Sequence, residues 1–258
     1  MSTTPLFRES PYESRFEATV EAVDDDGIVL DRTLFYPHGG GQPGDTGTLT
    51  LADGGTIAVT DTRKGESGAI LHRIEEDATR PAVGDRVEGE IDWSRRHAHM
   101  RMHTCMHLLS VAIPAPVTGG SVGADKGRLD FDLPESTLDR ETVTESLNAL
   151  IAADHPVTAE WITEAELDAQ PELVKTLSAQ PPRGEGDIRL IRIGDVDLQP
   201  CGGTHVATTS EIGRVRVAKI EKKSRHNRRV SIVFDPEAST RVAPDAGAKP
   251  RKVVYGVI

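Results

Sequence analysis

Two histidines at helical spacing, His103 and His107, constrain the fold of this chain more than any other feature. They lie in a run from about residue 92 to residue 113 that we predict to be one amphipathic helix. Residues four apart share a helix face, so both imidazoles can point at the same spot and suit a single Zn²⁺ ion. His99 and His103 have the same spacing, and the helix alone does not choose between the two pairs. Taken alone, such a pair is more often a surface or core pair than a metal site.

A second group of metal-ligand side chains follows far along the chain. Cys201 and His205 flank the segment Gly202-Gly203-Thr204, and thiolate and imidazole are ligands that zinc prefers. Together with His103 and His107 they would complete a set of four protein ligands for one ion. The central structural prediction is therefore that the fold brings these two distant segments together.

The length of 258 residues suits one large domain or two of modest size. The sequence has no run of 18 apolar residues and no basic-then-apolar signal at its start, so we expect a soluble, cytoplasmic protein without a membrane partner. Two cysteines, Cys105 and Cys201, are too few for a disulfide framework, and we expect no disulfide-linked partner. The sequence leaves the oligomeric state open.

The charge balance is acidic, with 41 acidic residues against 30 basic ones and a net charge of −11. A nucleic-acid-binding protein is normally basic overall. Lysines are scarce, and such an acidic, arginine-rich composition favours adaptation to high salt, where screening removes much of the self-repulsion. This halophile-like character is a hypothesis, and a structure that persists at low salt would contradict it.

The order of strand and helix patterns predicts an α+β fold. Short strand-like segments separated by turns run from about residue 16 to residue 92 and predict a small β-barrel. Helices packed on an antiparallel sheet are expected after it, with the central His-x-x-x-His helix among them. We predict a β-barrel domain at residues 1–92, a zinc-binding domain at residues 93–236 and a C-terminal tail at residues 237–258. Within the second domain we expect helices at 141–152 and after the capping box Thr163–Glu166, and strands at 127–131, 188–193, 214–220 and 229–234.

A glycine-rich segment, residues 36–47, interrupts the predicted barrel strands. This density of glycine is incompatible with a strand interior and predicts a loop. Its backbone can approach a ligand closely, or the segment can be a mere flexible turn, and both interpretations remain open.

Three motifs in this order resemble one family. Residues 101–109 (Arg-Met-His-Thr-x-x-His-Leu-Leu) and residues 200–205 (Pro-Cys-Gly-Gly-Thr-His) resemble the editing domain of alanyl-tRNA synthetases. The match looks closest to their free-standing relatives, the AlaX-type editing proteins. Residues 36–47 resemble the glycine-rich motif of the same family, and residues 219–230 its closing basic strand. The similarity covers roughly residues 5–235.

The resemblance implies a zinc-dependent hydrolase that deacylates mischarged tRNA(Ala), in seryl or glycyl form, and a chain of the medium class. It favours His103 and His107 over His99. The implied cofactor is one Zn²⁺ per chain, with the ligands His103, His107, Cys201 and His205. The chain departs from its relatives at residues 223–229, where they often have more glycine, and this departure bears on the backbone contacts there.

Hydroxyl side chains near the motifs are candidates for chemistry and discrimination. Thr104 and Thr204 are predicted to be catalytic, by orienting water or ligands, although either can simply cap local backbone. Thr118 and Ser121 follow the helix and are candidates for binding the serine hydroxyl, with ordinary turn hydroxyls as the alternative. A site that hydrogen-bonds a hydroxyl can reject an analogue lacking it by a factor on the order of 10⁴.

Contacts with tRNA are predicted at two places. Gln42 and Asp45 are expected near the mouth of the site, where they hold the barrel against the second domain and contact the acceptor end. The stretch 214–229 is strongly basic, which is out of character for an acidic chain, and is predicted to contact phosphates. Within that stretch the expected tRNA-binding residues are Lys222, Lys223 and Arg225.

Two other interpretations share parts of this pattern. The first is a tRNA-binding module with a structural zinc and no catalytic turnover. The second is an editing fragment of a threonyl system, which has the two half-sites but does not explain the glycine-rich barrel. Whether the zinc activates water or positions the ester also stays open, because a closed shell of four protein ligands favours positioning or structure.

Overall fold

The computed structural model describes residues 2–134, 138–176 and 186–235. Residues 6–8 and 66–68 form short 3-10 turns in its N-terminal part. The strands of this part are β1 (Thr4–Pro5), β2 (Arg15–Asp24), β3 (Gly27–Leu30), β4 (Arg32–Thr33), β5 (Gly47–Leu51), β6 (Thr56–Lys64), β7 (Ile70–Ile74) and β8 (Arg86–Ile91).

Six of these strands close into a barrel in the order β2-β3-β7-β6-β5-β8, while β1 and β4 pair in parallel beside it. The barrel strands are antiparallel throughout, and β2 and β3 form a hairpin in which Asp24 pairs with Gly27. Alternate side chains point inward, as the period of a strand requires, and Val20, Ile28 and Leu49 are almost wholly buried in the barrel. The predicted small β-barrel is therefore confirmed.

Helix α1 (Trp93–Ala112) directly follows the barrel. It begins where the Asp92 carboxylate accepts a hydrogen bond from the Arg95 backbone N–H, and Pro114 follows its C-terminal end. The predicted helix is confirmed, but its amphipathic character is wrong. Every residue from Met102 to Ser110 is buried, because α1 is packed on several sides rather than on one.

The second part of the chain supplies that packing. Short 3-10 turns lie at residues 171–173 and 209–212. The elements are β9 (Val117–Ser121), β10 (Lys126–Asp132), α2 (Arg140–Ala152), β11 (Val157–Ile162), α3 (Glu164–Asp168), β12 (Ile188–Ile193), β13 (Asp197–Pro200), β14 (Val215–Lys222) and β15 (Asn227–Phe234).

The second part contains two antiparallel sheets, one in the order β14-β15-β10-β9 and the other in the order β11-β12-β13. One continuous core joins α1 and α2 to both sheets through residues such as Met100, Phe131, Leu147 and Ile191. The α+β architecture and the capping box at Thr163 are confirmed. Strands β11 and β13 were not predicted.

The division at residues 92 and 236 stays a prediction, and the predicted tail at residues 237–258 lies outside the described residues. Both cysteines, Cys105 and Cys201, are free thiols. Among the helices that the structure describes, none combines the length and the apolar character needed to cross a bilayer.

Candidate metal centre

The two predicted half-sites converge. The ligand atoms of His103, His107, Cys201 and His205 all lie within 4.8 Å of one another. His103 and His107 come from one face of α1, where the four-residue spacing brings their rings edge to face with centroids 5.5 Å apart. Cys201 and His205 come from the loop that follows β13. His99, the alternative partner on the helix, is buried but is not part of this cluster.

Two distances from the Sγ atom of Cys201 describe the spacing of the donor atoms. This atom lies 3.5 Å from Nε2 of His103 and 3.3 Å from Nε2 of His205. In a tetrahedral zinc site, ligand distances of about 2.3 Å for sulfur and 2.0–2.1 Å for nitrogen imply an S···N separation of about 3.6 Å. These two separations and the chemical types of the four donors are therefore compatible with one zinc ion.

His103 is held by the glycine-rich loop. Its Nδ1 lies 2.8 Å from Oε1 of Gln42, and the same oxygen accepts a hydrogen bond from the Thr204 backbone N–H at 3.1 Å. The amide nitrogen of Gln42 donates to the Thr204 hydroxyl at 2.8 Å. Because the amide oxygen can only accept, Nδ1 of His103 carries the proton and Nε2 keeps its lone pair for the metal.

His107 is held by a carboxylate at the start of β13. Its Nδ1 donates to Oδ2 of Asp197 at 3.0 Å, and this aspartate is buried. Gln199 donates to the same oxygen at 2.8 Å, and Lys175 forms an ion pair with the other oxygen. This carboxylate–histidine arrangement is the usual outer support of a zinc ligand, since it fixes the tautomer and the ring orientation.

The third imidazole has a hydroxyl partner. Nδ1 of His205 lies 3.1 Å from the Thr104 hydroxyl, which itself donates to the Met100 carbonyl at 3.0 Å. The hydroxyl must therefore accept from His205, and this leaves Nε2 of His205 free as well. All three imidazoles thus present Nε2 toward Cys201.

The electrostatics of the cluster favour the metal-binding form of the cysteine. Burial by itself raises the pKa of the Cys201 thiol, but the adjacent His103 and His205 hold that pKa well below its ordinary value. Burial lowers the pKa of His107, but the hydrogen bonds and negative charges of Asp197 and Cys201 together outweigh burial and raise the pKa to about 9. For His205, burial prevails and lowers the pKa to about 3. Zinc requires a thiolate and neutral imidazoles, so metal binding would release the proton that the raised pKa of His107 retains at neutral pH.

The loop of the second half-site passes very close to the helix. A Cβ atom at Gly203 would lie 2.2 Å from Cε1 and 2.4 Å from Nδ1 of His103. Only glycine fits between the loop backbone and this imidazole. Arg189 holds the same loop from the other side, because its guanidinium donates to the carbonyls of Cys201 and Gly203 at 3.0 and 2.9 Å.

A cavity of about 640 Å³ opens onto His103, His107 and Cys201. Its walls come from the glycine-rich loop, β9, β11, β12 and β13. The loop is docked on β9, where Gly41 has φ = +80° and its carbonyl accepts from the Val122 N–H at 2.8 Å. This volume lies in the range of small-molecule sites, about 300–1,000 Å³.

The predicted hydroxyl and loop residues occupy different positions around this cavity. Ser121 lines it, whereas Thr118 is not among the lining residues and bonds instead to the Asp130 carbonyl and to Asn227. Gln42 and Asp45 are both buried. The Asp45 carboxylate pairs with buried Arg96, at the junction of barrel and helix. Their predicted roles in substrate binding stay predictions.

The basic stretch folds into the β14–β15 hairpin. Lys222, Lys223 and Arg225 are exposed at its turn, and Lys223 lies 3.3 Å from Glu221. Arg228 and Arg229 are turned inward, toward backbone carbonyls and toward Asp130 respectively. Arg228 and Arg229, the last two basic residues of the predicted stretch, therefore form intramolecular contacts.

Several site residues were not anticipated from the sequence. Asp197 and Lys175 support His107, Arg189 supports the loop, and Trp161 lines the cavity while remaining 49% exposed. Asp197 precedes Cys201 by four residues, but Asp195 lies two residues before it, so the sequence alone does not single out Asp197. Trp161 lies in a mixed segment, Val-Thr-Ala-Glu-Trp-Ile-Thr at residues 157–163, which carries no distinct sequence signal.

Comparison with known proteins identifies the relatives of this chain. The family described as tRNA synthetases class II (A) matches residues 6–95, and the threonyl and alanyl tRNA synthetase second additional domain matches residues 188–231. The alanyl-tRNA editing protein AlaX-M of Methanosarcina barkeri is 39% identical over 237 residues, which cover 88% of this chain and 97% of the relative. The protein of the same name from Methanosarcina acetivorans is 38% identical over 239 residues, with the same coverage of both chains.

A longer relative is the alanine–tRNA ligase of Halobacterium salinarum, which is 38% identical over 238 residues. This match covers 85% of the present chain but only 25% of the ligase. The chain thus corresponds to one portion of the ligase and to nearly the whole of the free-standing editing proteins. It belongs to the AlaX-M family of alanyl-tRNA editing proteins.

Proposed function

We propose that this protein is an aminoacyl-tRNA deacylase that cleaves the ester bond of Ser-tRNA(Ala) at a zinc centre held by His103, His107, Cys201 and His205. The observation that carries the proposal is the position of this donor set, because His103, His107 and Cys201 line a cavity of about 640 Å³ rather than a closed core. A purely structural zinc has no need of such an opening. Its relatives named alanyl-tRNA editing proteins support the choice of tRNA(Ala).

The charge of the cavity supports an RNA substrate. Among its described lining residues four are permanent cations and one is an acid, although the chain as a whole has a net charge of −11. The cations are Arg8, Lys64, Lys175 and Arg189, and the acid is Asp187. Such a local reversal of sign attracts a polyanion to this face of an acidic protein.

Within the proposed site each side chain has a distinct task. A bound zinc would supply Lewis acidity toward the ester or toward a water molecule. Gln42, Asp197 and Thr104 orient the three imidazoles, and Thr204 keeps the Gln42 amide in place. We assign recognition of the seryl hydroxyl to Ser121, since it lines the cavity and Thr118 does not.

The proposal is tested by single-turnover deacylation of Ser-tRNA(Ala), with Ala-tRNA(Ala) and Ser-tRNA(Ser) as comparison substrates. The protein should release serine only from the first, and a chelator should stop the release. His103→Ala should lose both the metal and the activity, while His99→Gln, which changes another buried histidine of the same helix, should retain both. Tight tRNA binding without release of serine by the metal-loaded protein would contradict hydrolysis and favour a binding module.

We assign contacts with the tRNA body to the exposed turn of the β14–β15 hairpin. Replacing Lys222, Lys223 and Arg225 together by alanine removes up to three phosphate contacts. The affinity for tRNA should fall, and the slope of log affinity against log salt should decrease by about 2–3. Val83→Ala, an exposed substitution outside the lining of the cavity, is the control. An unchanged salt dependence would remove the hairpin from the interface.

A further inference from the structure

Trp161 is the largest apolar side chain that the cavity leaves exposed. It is 49% accessible, and the only other exposed large hydrophobic residues in the described part of the chain are Tyr12 and Val83, neither of which lines the cavity. The Tyr12 hydroxyl is engaged with Glu211. Exposing a large aromatic ring to water at the rim of a cavity is unfavourable, and exposed apolar surface of this kind often marks a binding site.

A cation lies over this ring. The Cζ atom of Arg8 is 5.9 Å from the centroid of the Trp161 ring, which is within the range of a cation–π contact. Arg8 also lines the cavity and is itself exposed. The pair combines a flat π surface with a permanent positive charge. Proteins grip single-stranded nucleic acids with this combination, in which bases stack on the ring and the backbone meets the charge.

Strand register places the pair at a defined distance from the metal centre. Trp161 on β11 is directly opposite Arg189 on β12, and the Arg189 carbonyl accepts a hydrogen bond from the Cys201 N–H at 3.1 Å. Directly paired residues share a face of the sheet, so the three side chains form one row across it. Two strand spacings separate Trp161 from Cys201, which is roughly 10 Å. A ribose that carries a base on one side and an aminoacyl ester on the other bridges a gap of this size.

Arg189 occupies the middle of the row. Its Nη1 donates hydrogen bonds to the carbonyls of Cys201 and Gly203. Its Nε, in contrast, is buried and has no hydrogen-bond partner within the described residues. A buried N–H group without a partner is rare in a native fold and is normally satisfied by water or a ligand. A ribose hydroxyl or phosphate oxygen between the ring and the metal centre would satisfy it.

We propose that Trp161 and Arg8 form the subsite for the 3′-terminal nucleobase of the acylated RNA, with Arg189 contacting the ribose or phosphate between base and ester. The inference rests on the proposed function for the identity of the RNA, but the base-stacking contact is measurable without any turnover. The base stacks on the exposed part of the indole, and the ester then reaches the imidazoles and the thiolate at the other end of the row.

Trp161 fluorescence provides the test. The chain contains only two tryptophans, and Trp93→Phe leaves Trp161 as the single emitter. We expect a short unacylated RNA ending in adenosine to quench this emission, and the same RNA with an abasic 3′ end to bind at least several-fold more weakly. Trp161→Ala, measured by anisotropy of labelled RNA, should lose roughly 5- to 150-fold in affinity, the range found for base–aromatic stacking. Trp161→Phe should retain most of the affinity.

The controls separate this proposal from the deacylase itself. Val83→Ala removes an exposed apolar side chain outside the cavity lining and should leave the RNA affinity unchanged. Arg8→Ala should weaken binding and reduce its salt dependence. If Trp161→Ala binds the adenosine-ended and the abasic RNA with the wild-type ratio, the subsite is wrong, even where Ser-tRNA(Ala) is hydrolysed. If wild type fails to hydrolyse Ser-tRNA(Ala) yet loses affinity for abasic RNA through Trp161, the subsite stands and the deacylase fails.

Discussion

The two halves of the metal centre reach the same point by different physical means. His103 and His107 are aligned by α1 itself, because the helical repeat places residues four apart on one face. Cys201 and His205 lie on a loop whose backbone is held by contacts from distant parts of the chain. The backbone spacing of the helical half is therefore set locally, with Gln42 and Asp197 orienting its two rings. The backbone of the loop half instead depends on contacts with the barrel, α1 and β12. Changes in tertiary contacts should act mainly through the loop.

The largest expected effect comes from Gly203→Ala. The added Cβ would lie 2.2 Å from Cε1 of His103, so either the loop or the imidazole must move. We expect zinc affinity to fall beyond the roughly 100-fold upper limit seen for losses of outer partners. Competition with a chromogenic chelator measures this. Gly202→Ala is the matched control, since a Cβ there meets no atom within 4 Å, and equal affinities of the two variants would contradict the close approach.

Gln42→Leu should have the second-largest effect, because the Gln42 amide contacts both the helical half and the loop half of the site. The variant leaves Nδ1 of His103 and the Thr204 backbone N–H without their buried acceptor. A loss of zinc affinity toward the upper part of the 10- to 100-fold range is expected, with about 1–3 kcal/mol of stability lost from unpaired polar groups. Chelator competition and urea unfolding measure the two effects. A variant with wild-type zinc affinity would show that the barrel does not hold the centre.

Asp197→Asn should act more weakly and on the helical half alone. The asparagine oxygen can still accept from His107, but the negative charge that supports the imidazole and pairs with Lys175 is lost. We expect zinc affinity to fall by about tenfold, the lower end for such partners. Asp187→Asn, an exposed acid of the cavity lining, is the control and should bind zinc as wild type does. A loss as large as that of Gln42→Leu would reverse this ranking.

The smallest effect should come from Asp92→Ala, which removes the N-cap of α1. It should lower the free energy of unfolding by about 1 kcal/mol. His103 and His107 lie about three and about four helical turns from this cap and are fixed by packing, so zinc affinity should be unchanged. Urea unfolding measures the change in stability, and chelator competition measures the zinc affinity of the variant and of the wild type. A clear loss of zinc affinity would show that the helical half also depends on its distant end.

The same contrast between local and tertiary contacts explains which features of the fold and of the site could be predicted from the sequence. The spacing of His103 and His107 is a local pattern that His99 and His103 share, and the resemblance to the editing family decided between the two pairs. The predicted convergence of His103 and His107 with Cys201 and His205 is confirmed. The barrel and α2 were also read from their periodicity. The burial of α1 on several sides could not be predicted, because a local sequence pattern does not show how many elements pack against a helix.

The supporting residues were harder to predict because their roles depend on tertiary contacts. Asp197 begins a strand of four residues that ends at a proline, too short for a period-two pattern. Trp161 lies on β11, where no residue is fully buried, so the strand has no clean alternation. Gln42 was named from its motif, but its bond to His103 joins residues 61 positions apart. Such pairings appear only once the barrel and α1 are in contact.

The pairing of β12 with β13 has a consequence for folding. Strand side chains alternate between faces, so a slip of one residue in this pairing would turn the Cys201 thiol away from the helix. Zinc bound at the proposed centre would therefore favour the native register of these two strands. During refolding from denaturant, chains with misaligned strands would stay metal-free, and added zinc would draw the population toward the one alignment that can bind it.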